Sequence, residues 1–576
     1  MEDTFQYDKL VILNNVYHNA IPETNIRIQS PHIKTALYPH QSDMVRGMCA
    51  YRDKMIHGFV IGNRAINGKI GIIGDTYGSG KTLSALTYLA TAQVAQVAQV
   101  AQVAKPTMTC ELTPHSSTYF FSHDICTLSE TSTNLIIVPS HLFNQWRHEI
   151  DTHTTLSYVP IETKKQLRGE QLINTILTSS FVLTTNKAYK VVQEYASEHN
   201  IQWNNIIMDE ASTIYMNSSD PPLQFQFLWL MTNNWIPLLF KHSRIHKNTL
   251  LHLRNRVNLH PELEEWLQRD SANSAIYEGT LVSSMFLKEY MPFFHPHRNM
   301  MILRNSEKNI SKSAAYPAIH SETIHCKPHI SLQSLASFYL ARNREPTIPN
   351  NSIPHLVQAL GMECKTGTDY ITTQHVSKHQ LIKQKIIDNE CMICLESCIH
   401  MTIVNCCHNT YCGSCLLRNT VMYQKCPTCR EVLLLTSMCC LTPFEDTTIV
   451  RTKTEICLEL FKKNKENRFV IYSSFDNIYY QLFEEIDKLG LKAERIENNL
   501  FSLRKTLKKY KDGIVTILFV SNSDMLRGLS LLSTTHLIFY HEQPSFELKQ
   551  VLIHSSQRLG RKDPLTILHL HSEIQV

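Results

Sequence analysis

Residues 69 to 82 read Lys-Ile-Gly-Ile-Ile-Gly-Asp-Thr-Tyr-Gly-Ser-Gly-Lys-Thr. A short apolar run, Ile70 to Ile73, gives way to glycines, a lysine and a threonine. That is the grammar of a phosphate-binding loop between a buried strand and a helix. Gly78 and Gly80 let the backbone turn tightly and aim its N–H groups at an anion. Lys81 can reach the outer phosphates, and the Thr82 hydroxyl can hold Mg²⁺. The spacing departs from G-x-x-x-x-G-K-[ST] at one position: its first glycine falls on Asp75, with Gly74 one residue early.

A second constellation lies some 130 residues further on, where Ile206-Ile-Met-Asp-Glu ends an apolar run in two carboxylates. Asp209 can bind Mg²⁺, and Glu210 can polarise the water that attacks a terminal phosphate. In-line phosphoryl transfer needs little beyond such positioning and charge neutralisation. Ligands in open α/β sheets also sit at the carboxyl ends of strands.

The third constellation is a metal-ligand set: Cys391-x2-Cys394, Cys406-x-His408, Cys412-x2-Cys415 and Cys426-x2-Cys429. These eight residues fill two tetrahedral zinc sites. Cys407 is the alternative to Cys406, and Cys398 reads as a bystander. A module of about forty residues has too little core to fold alone, so zinc would supply the missing free energy.

Strands and helices must bring these groups together. Residues 134–140 read as a buried strand, followed by a helix start at 141–150. Further strands are read at 180–185 and 206–210, with an apolar run at 226–239. Strands alternating with helical patterns argue for an open, mostly parallel sheet. Residues 240 to 388 are rich in His, Lys, Arg and Asn, and read as a helical and irregular insertion. After the cysteines, alternation resumes at 468–472, 513–520, 536–541 and 565–569, which gives a second α/β lobe. Ala-Gln-Val repeats four times from Ala92 to Val103; it either continues the helix after the phosphate loop or forms a surface low-complexity connection. The expected organisation is an N-terminal segment 1–35 and a first lobe 36–240 with the low-complexity insertion 92–133. An insertion 241–388, a zinc module 389–432 and a second lobe 445–576 follow.

Composition narrows the class. The chain has 576 residues, 43% apolar and 19% charged, which suits several real cores. A net charge of +5 excludes a global polycation, so any nucleic-acid surface is local. No run of eighteen apolar residues appears, so no membrane partner is expected. Met-Glu-Asp-Thr-Phe at the start lacks the basic and apolar regions of a secretory signal. Twelve of the 17 cysteines lie between Cys364 and Cys440. Without a signal, reduced thiols and metal sites are expected, in an intracellular protein whose compartment, nuclear or cytoplasmic, the sequence leaves open.

The stretches quoted resemble, in order, the motifs of Swi/Snf-type ATPases in helicase superfamily 2. In that family the first position of the phosphate loop is commonly Asp, as at Asp75. Leu37-Tyr-Pro-His-Gln41 resembles the segment whose glutamine lies near the adenine. Val138-Pro-Ser-His-Leu-Phe-Asn-Gln-Trp-Arg-His-Glu-Ile150 resembles the motif that contacts DNA backbone. Leu183-Thr-Thr185 and Trp203 to Ser212 resemble two more, the latter the DEAH-type motif. Phe469 to Phe475, Gly528-Leu-Ser-Leu531 and Gln557-Arg-Leu-Gly-Arg561 resemble motifs four to six. The cysteine set is similar to a RING finger, down to Cys426-Pro-Thr-Cys-Arg430.

The resemblance implies an α/β fold of two RecA-like parallel-sheet lobes, with a small zinc-stabilised RING domain and a helical insertion between them. It implies ATP and Mg²⁺ held by Gln41, Asp75, Gly78, Ser79, Gly80, Lys81 and Thr82. Catalysis falls to Lys81, Asp209, Glu210 and an arginine finger, Arg558 first with Arg561 close behind. Two Zn²⁺ ions are implied, one on Cys391, Cys394, Cys412 and Cys415, the other on Cys406, His408, Cys426 and Cys429. The implied activity is an ATP-driven translocase on duplex DNA, contacted through its backbone, with Arg147, Lys187, Arg504, Lys505 and Lys508 as candidate contacts. A ubiquitin-conjugating enzyme would dock on Ile393, Leu416, Pro427 and Arg430, making the RING a ubiquitin ligase. The other readings are a DNA-binding ubiquitin ligase with degenerate ATPase lobes, and an RNA helicase. Two motifs depart from the family. Trp229-Leu-Met-Thr232 runs into Asn233-Asn234-Trp235, and Ser555 stands where the first of two motif-six arginines belongs. Both departures bear on the coupling of hydrolysis to movement. The Cys-Cys-His-Asn form of the RING, the compact lobes and the triplet repeat suggest a large DNA virus as the source.

Overall fold

The computed structural model describes residues 2–57, 59–61, 64–66, 69–99, 132–169, 171–214, 225–240, 245–268, 275–276, 298–314, 316–326, 348, 350, 353–441, 451–522, 526–541 and 546–572. Two compact units are resolved: Met1–His320 with Glu494–Thr535 and Gln543–Leu565, and Ser321–Ala493 with His536–Glu542 and Thr566–Val576.

The first unit is built on a seven-stranded parallel sheet. Its strands are β1 (Ile70–Ile73), β2 (Ser132–Val138), β3 (Tyr158–Ile161), β4 (Phe181–Thr185), β5 (Gln202–Met208), β6 (Phe225–Met231) and β7 (Ile302–Leu303). They lie in the order β7-β1-β6-β5-β2-β4-β3. Every residue of β1 and β4 is buried, as are six of the seven in β5. Continuous apolar strands of this kind need cover on both faces, which is why the crossovers between them are helical. Strand β1 runs parallel to β6, Ile73 opposite Met231, and β5 parallel to β2, Met208 opposite Ile137. The carboxyl ends of β1 and β5, which carry the phosphate loop and the carboxylate pair, therefore open on one edge of the sheet. The Trp229 ring lies so close over Gly71 that a Cβ there would collide with it.

Strand β7 was not expected. It falls inside the segment read as an insertion, yet it pairs with β1, Leu303 opposite Ile73, so the first lobe reaches past residue 240. Two residues carry no readable periodicity, which is why the pattern of the sequence missed it. The helix after the phosphate loop, Lys81–Gln99, runs through the first part of the Ala-Gln-Val repeat, so that part is helical. The rest of the repeat and the expected connection up to residue 131 lie outside the described residues. Residues 1–35, uninformative in sequence, contain the helix Glu2–His18, which buries Leu10, Leu13 and Val16.

In the second unit, strands Phe469–Tyr472, His536–Phe539 and Leu565–His571 run parallel in register. The cysteine module is larger than 389–432. Its core joins Ile353, Leu356, Val357, Leu360 and Met362 to Val404, Tyr411, Leu416, Leu417 and Val421, and extends to Leu433, Met438 and Cys440. Glu363–Cys364 pairs in parallel with Met438–Cys440, which pairs in turn with Thr402–Val404. Residues before Cys391, the helix Ile353–Ala359 among them, and the strand Met438–Cys440 after Cys429 supply the core that forty residues lack. The fold is thus α/β, with two RecA-like parallel-sheet lobes and a cysteine module and helical segment between them in the chain. Among the described residues, no helix is long and apolar enough to cross a membrane.

Candidate functional site

The phosphate loop turns through Gly78 and Gly80, both left-handed, at φ of 73° and 80°. A Cβ at Gly78 would stand 3.2 Å from the Gln557 carbonyl, so glycine is required there by both conformation and space. Lys81 folds back into the loop, its ammonium donating to the carbonyls of Asp75 at 3.0 Å and Thr76 at 2.9 Å. Burial lowers its pKa, while Glu210, Asp75 and Asp209 act in the opposite direction.

The carboxylates face it. Asp209 Oδ2 accepts from the indole Nε1 of Trp146 at 2.7 Å, and Oδ1 from the Glu210 N–H at 2.9 Å. Trp146 is buried on the helix Phe143–His153, together with Phe143 and Ile150. Glu210 sits in the left-handed region at φ 45°, an uncommon conformation for a residue with a side chain. Its Oε2 is buried and lacks a hydrogen-bond partner. Burial first, then Asp209, pushes the Glu210 carboxyl up to about 7. Asp209 is raised as well, by burial against the pull of Trp146 and Lys81. A carboxyl poised near neutrality beside an orphaned oxygen is what a general base requires.

One pocket collects these groups. Tyr77, Gly78, Gly80, Lys81, Thr82, Asp209 and Glu210 line it with Gln145, Gly528, His554, Ser555 and Arg558, among others. Arg558 donates to the Gly528 carbonyl at 2.6 Å; burial lowers its pKa, against Glu149, Glu210 and Asp209. Arg561 does not belong to the pocket. Its Nε and both Nη atoms donate to the carbonyls of Asp563, Leu532, Ser556 and Pro564, which makes it a brace for its own turn. The sequence favours Arg558 with Arg561 close behind, and of the two Arg558 lines the pocket. The Asp75 carboxylate is held by Asn305, which donates to both its oxygens. Gln41 and Ser79 lie behind the loop: the Gln41 amide donates to the carbonyls of Ser79 and Gly80, at 3.4 Å each.

Sequence reasoning missed several pocket residues. Tyr77 lies inside the quoted loop and stacks on His554, ring centroids 5.6 Å apart, while its hydroxyl accepts from Arg527 at 3.1 Å. Burial holds His554 neutral, with its pKa down to about 4. Gln145 donates to the Gly528 carbonyl and accepts from the Ser530 N–H. No spacing rule points to such contacts. In the altered third motif, the Thr232 hydroxyl still meets that of Ser212 at 3.0 Å, beyond the carboxylate pair. Of the candidate backbone contacts, Arg147, Lys187, Lys505 and Lys508 are exposed, whereas Arg504 pairs with Glu162 at 2.6 Å.

The cysteines gather into two groups of four, with the sulfur atoms of each group within 4.8 Å of one another. One is Cys391, Cys394, Cys412 and Cys415, as expected. The other is Cys406, Cys407, Cys426 and Cys429, so Cys407 stands in the place assigned to His408. His408 sits at φ 54°, with its ring turned to the Tyr370 hydroxyl at 3.3 Å and the Lys378 ammonium at 3.2 Å. The donor chemistry suits zinc. Burial opposes ionisation of Cys391 and Cys426, yet backbone N–H groups of Cys394, Cys412 and Ile393, and of Cys429 and Thr428, hold these thiols at about 7. Zinc would close each group as a tetrahedral thiolate site. Cys398 stays outside both. Leu416, expected to grip a partner, is fully buried in the module's core, because the helix Gly413–Tyr423 turns that face inward. Ile393 and Arg430 are exposed and Pro427 is half-buried.

Residues 40–235 match the family model of the SNF2-related domain. The matched span takes in the phosphate loop, Trp146 and the carboxylate pair. A protein of Acanthamoeba polyphaga mimivirus described as a helicase is 27% identical over 243 residues, covering 38% of this chain and 29% of that protein. The matched part thus spans under a third of the relative's length. The SWI2/SNF2 ATPase core of Sulfolobus solfataricus, solved in complex with double-stranded DNA, aligns over 95% of this chain and 90% of that one, with 13% identity and a TM-score of 0.29.

Proposed function

We propose that the protein is an ATP-driven translocase of the Swi/Snf type that acts on duplex DNA and carries a zinc-holding RING module. The observation that supports this best is the convergence of Lys81, Thr82, Asp209, Glu210 and Arg558 on one pocket. Gly78 to Thr82 bind the phosphates, Lys81 swinging from its loop carbonyls to the outer ones. Asp209 and Thr82 would hold Mg²⁺, which would supply charge neutralisation at the phosphates. Glu210 orients the attacking water and takes its proton. Arg558 stabilises charge on the transferring group. Exposed Arg147, Lys187, Lys505 and Lys508 offer contacts to a phosphate backbone, so binding falls as salt rises. The RING would present Ile393, Pro427 and Arg430 to a ubiquitin-conjugating enzyme, without Leu416.

The test is ATP turnover by the wild type and by Lys81→Ala, alone, with duplex DNA and with RNA. Turnover stimulated by duplex DNA in the wild type and absent from the variant is the expected result. No turnover under any condition favours a binding module with degenerate lobes. Stimulation by RNA alone favours an RNA helicase. Ubiquitin transfer is tested separately, by autoubiquitination with a panel of conjugating enzymes and with Ile393→Ala as the control.

A further inference from the structure

The residues that follow β7 close over the start of the phosphate loop. The Gly74 N–H donates to the Leu303 carbonyl at 2.8 Å. Two residues on, the Asn305 N–H donates to Asp75 Oδ1 at 2.6 Å and its side-chain amide to Asp75 Oδ2 at 2.8 Å. The same amide reaches the His40 carbonyl at 3.0 Å, and its oxygen accepts from Asn309 at 3.3 Å. Asn309 also donates to Asp43, which pairs with Arg46 at 3.0 Å. Asp75, Asn305, Asn309 and Asp43 are all buried.

The clamp is built before it meets the loop. The Ser306 hydroxyl caps the helix Glu307–Ser313 by accepting the Asn309 N–H at 3.1 Å. Arg304 pairs with Glu262 at 2.7 Å and lies over the Tyr17 ring. Asn305 is therefore fixed from both sides. The carbonyls of Asp75 and Thr76, which seat the Lys81 ammonium, belong to the segment it grips.

We infer that Asn305 is a positioning residue of the phosphate loop: through both oxygens of Asp75 it sets where that loop and Lys81 stand. This rests on the nucleotide-binding reading of the pocket. It also gives Asp75 a function that glycine, usual at that position of the motif, does not have. A buried carboxylate stripped of its donors leaves the loop start free to shift.

Mg·ATP affinity is measured by calorimetry, with KM and kcat from steady-state turnover, for the full chain and four variants. Asn305→Ala and Asp75→Asn are expected to weaken ATP binding about tenfold or more. KM rises accordingly, and kcat falls by a smaller factor than affinity, because the carboxylate pair and Arg558 are untouched and only Lys81 shifts with the loop. Asn305→Asp sets two carboxylates face to face and is expected to be the weakest binder. The exchange Asp75→Asn with Asn305→Asp restores one carboxylate facing one amide, and should recover most of the lost affinity. It leaves only the His40 carbonyl without its donor. The exchange keeps net charge and size, so it also decides the matter if Asn305→Ala unfolds. Single variants that bind within twofold of wild type overturn the inference, as does an exchange no better than the worse single variant. A wild type that binds no Mg·ATP at all overturns the nucleotide reading, and this inference with it.

Discussion

The indole N–H of Trp146 donates to the outer carboxylate oxygen of Asp209 at 2.7 Å. The helix that presents Trp146 thus fixes the residue assigned to Mg²⁺, and leaves Oδ1 to the Glu210 N–H. Hydrogen bonds to charged groups contribute about 1.5–3 kcal/mol. Trp146→Phe keeps an aromatic ring in the core and removes the donor. ATP turnover should fall about tenfold or more, and the Mg²⁺ concentration for half-maximal rate should rise. A variant with unchanged Mg²⁺ dependence would mean that the indole only fills space.

Glu210 links activity to stability. Its carboxyl stands at about 7 in the folded chain against an ordinary 4.5. The folded state therefore binds more protons than the unfolded one between those values, and stability falls as pH rises from about 4.5 through about 7. Glu210→Gln removes that loss. Its melting temperature should exceed the wild type's above pH 7 and match it below pH 4.5. Turnover, which needs the ionised base, should rise through about pH 7 in the wild type and be absent from the variant. A variant that melts below the wild type at pH 8 would contradict the buried, unpartnered carboxylate.

Arg558 and Arg561 should separate by readout. Arg558→Ala removes a charge from the pocket and one hydrogen bond to Gly528. If Arg558 has the proposed finger role, turnover should drop by about three orders of magnitude with ATP binding largely kept. Arg561→Ala leaves four carbonyls without a donor. Its main effect should be a lower melting temperature, with turnover per folded molecule near wild type. The reverse pattern would return the finger to Arg561.

Much of this was legible in the sequence wherever a side chain's role follows from local spacing. The phosphate loop, Asp209-Glu210 and the Cys-x2-Cys pairs are short motifs, and the strands that carry them are long and apolar enough to read. Contacts between distant segments were not legible. Nothing in the stretch around Asn305 marks it as the partner of Asp75, because 230 residues separate the two. For the arginines three apart the motif favours Arg558, but it gives no sign of the carbonyls that engage Arg561. Resemblance to RING fingers assigns Leu416 to partner binding, yet the core with Ile353 and Leu356 claims it. That core includes the helix Ile353–Ala359, outside the stretch from Cys391 to Cys429, so cysteine spacing could not bound the module.

The second cysteine group gives a direct contest between two neighbours. Cys407 shares its group with Cys406, Cys426 and Cys429, and its Sγ lies 3.7 Å from that of Cys426. His408 instead faces Tyr370 and Lys378. Cys407→Ser should therefore halve the zinc content, measured by atomic absorption on the purified chain. His408→Ala should keep two ions. Cobalt substitution gives a second view: two four-thiolate sites share one pattern of visible bands, whereas a histidine ligand would split them into two. Since the free energy of zinc binding adds to that of folding, Cys407→Ser should also destabilise the module more than His408→Ala. Zinc lost from His408→Ala and kept in Cys407→Ser would reverse the ligand assignment.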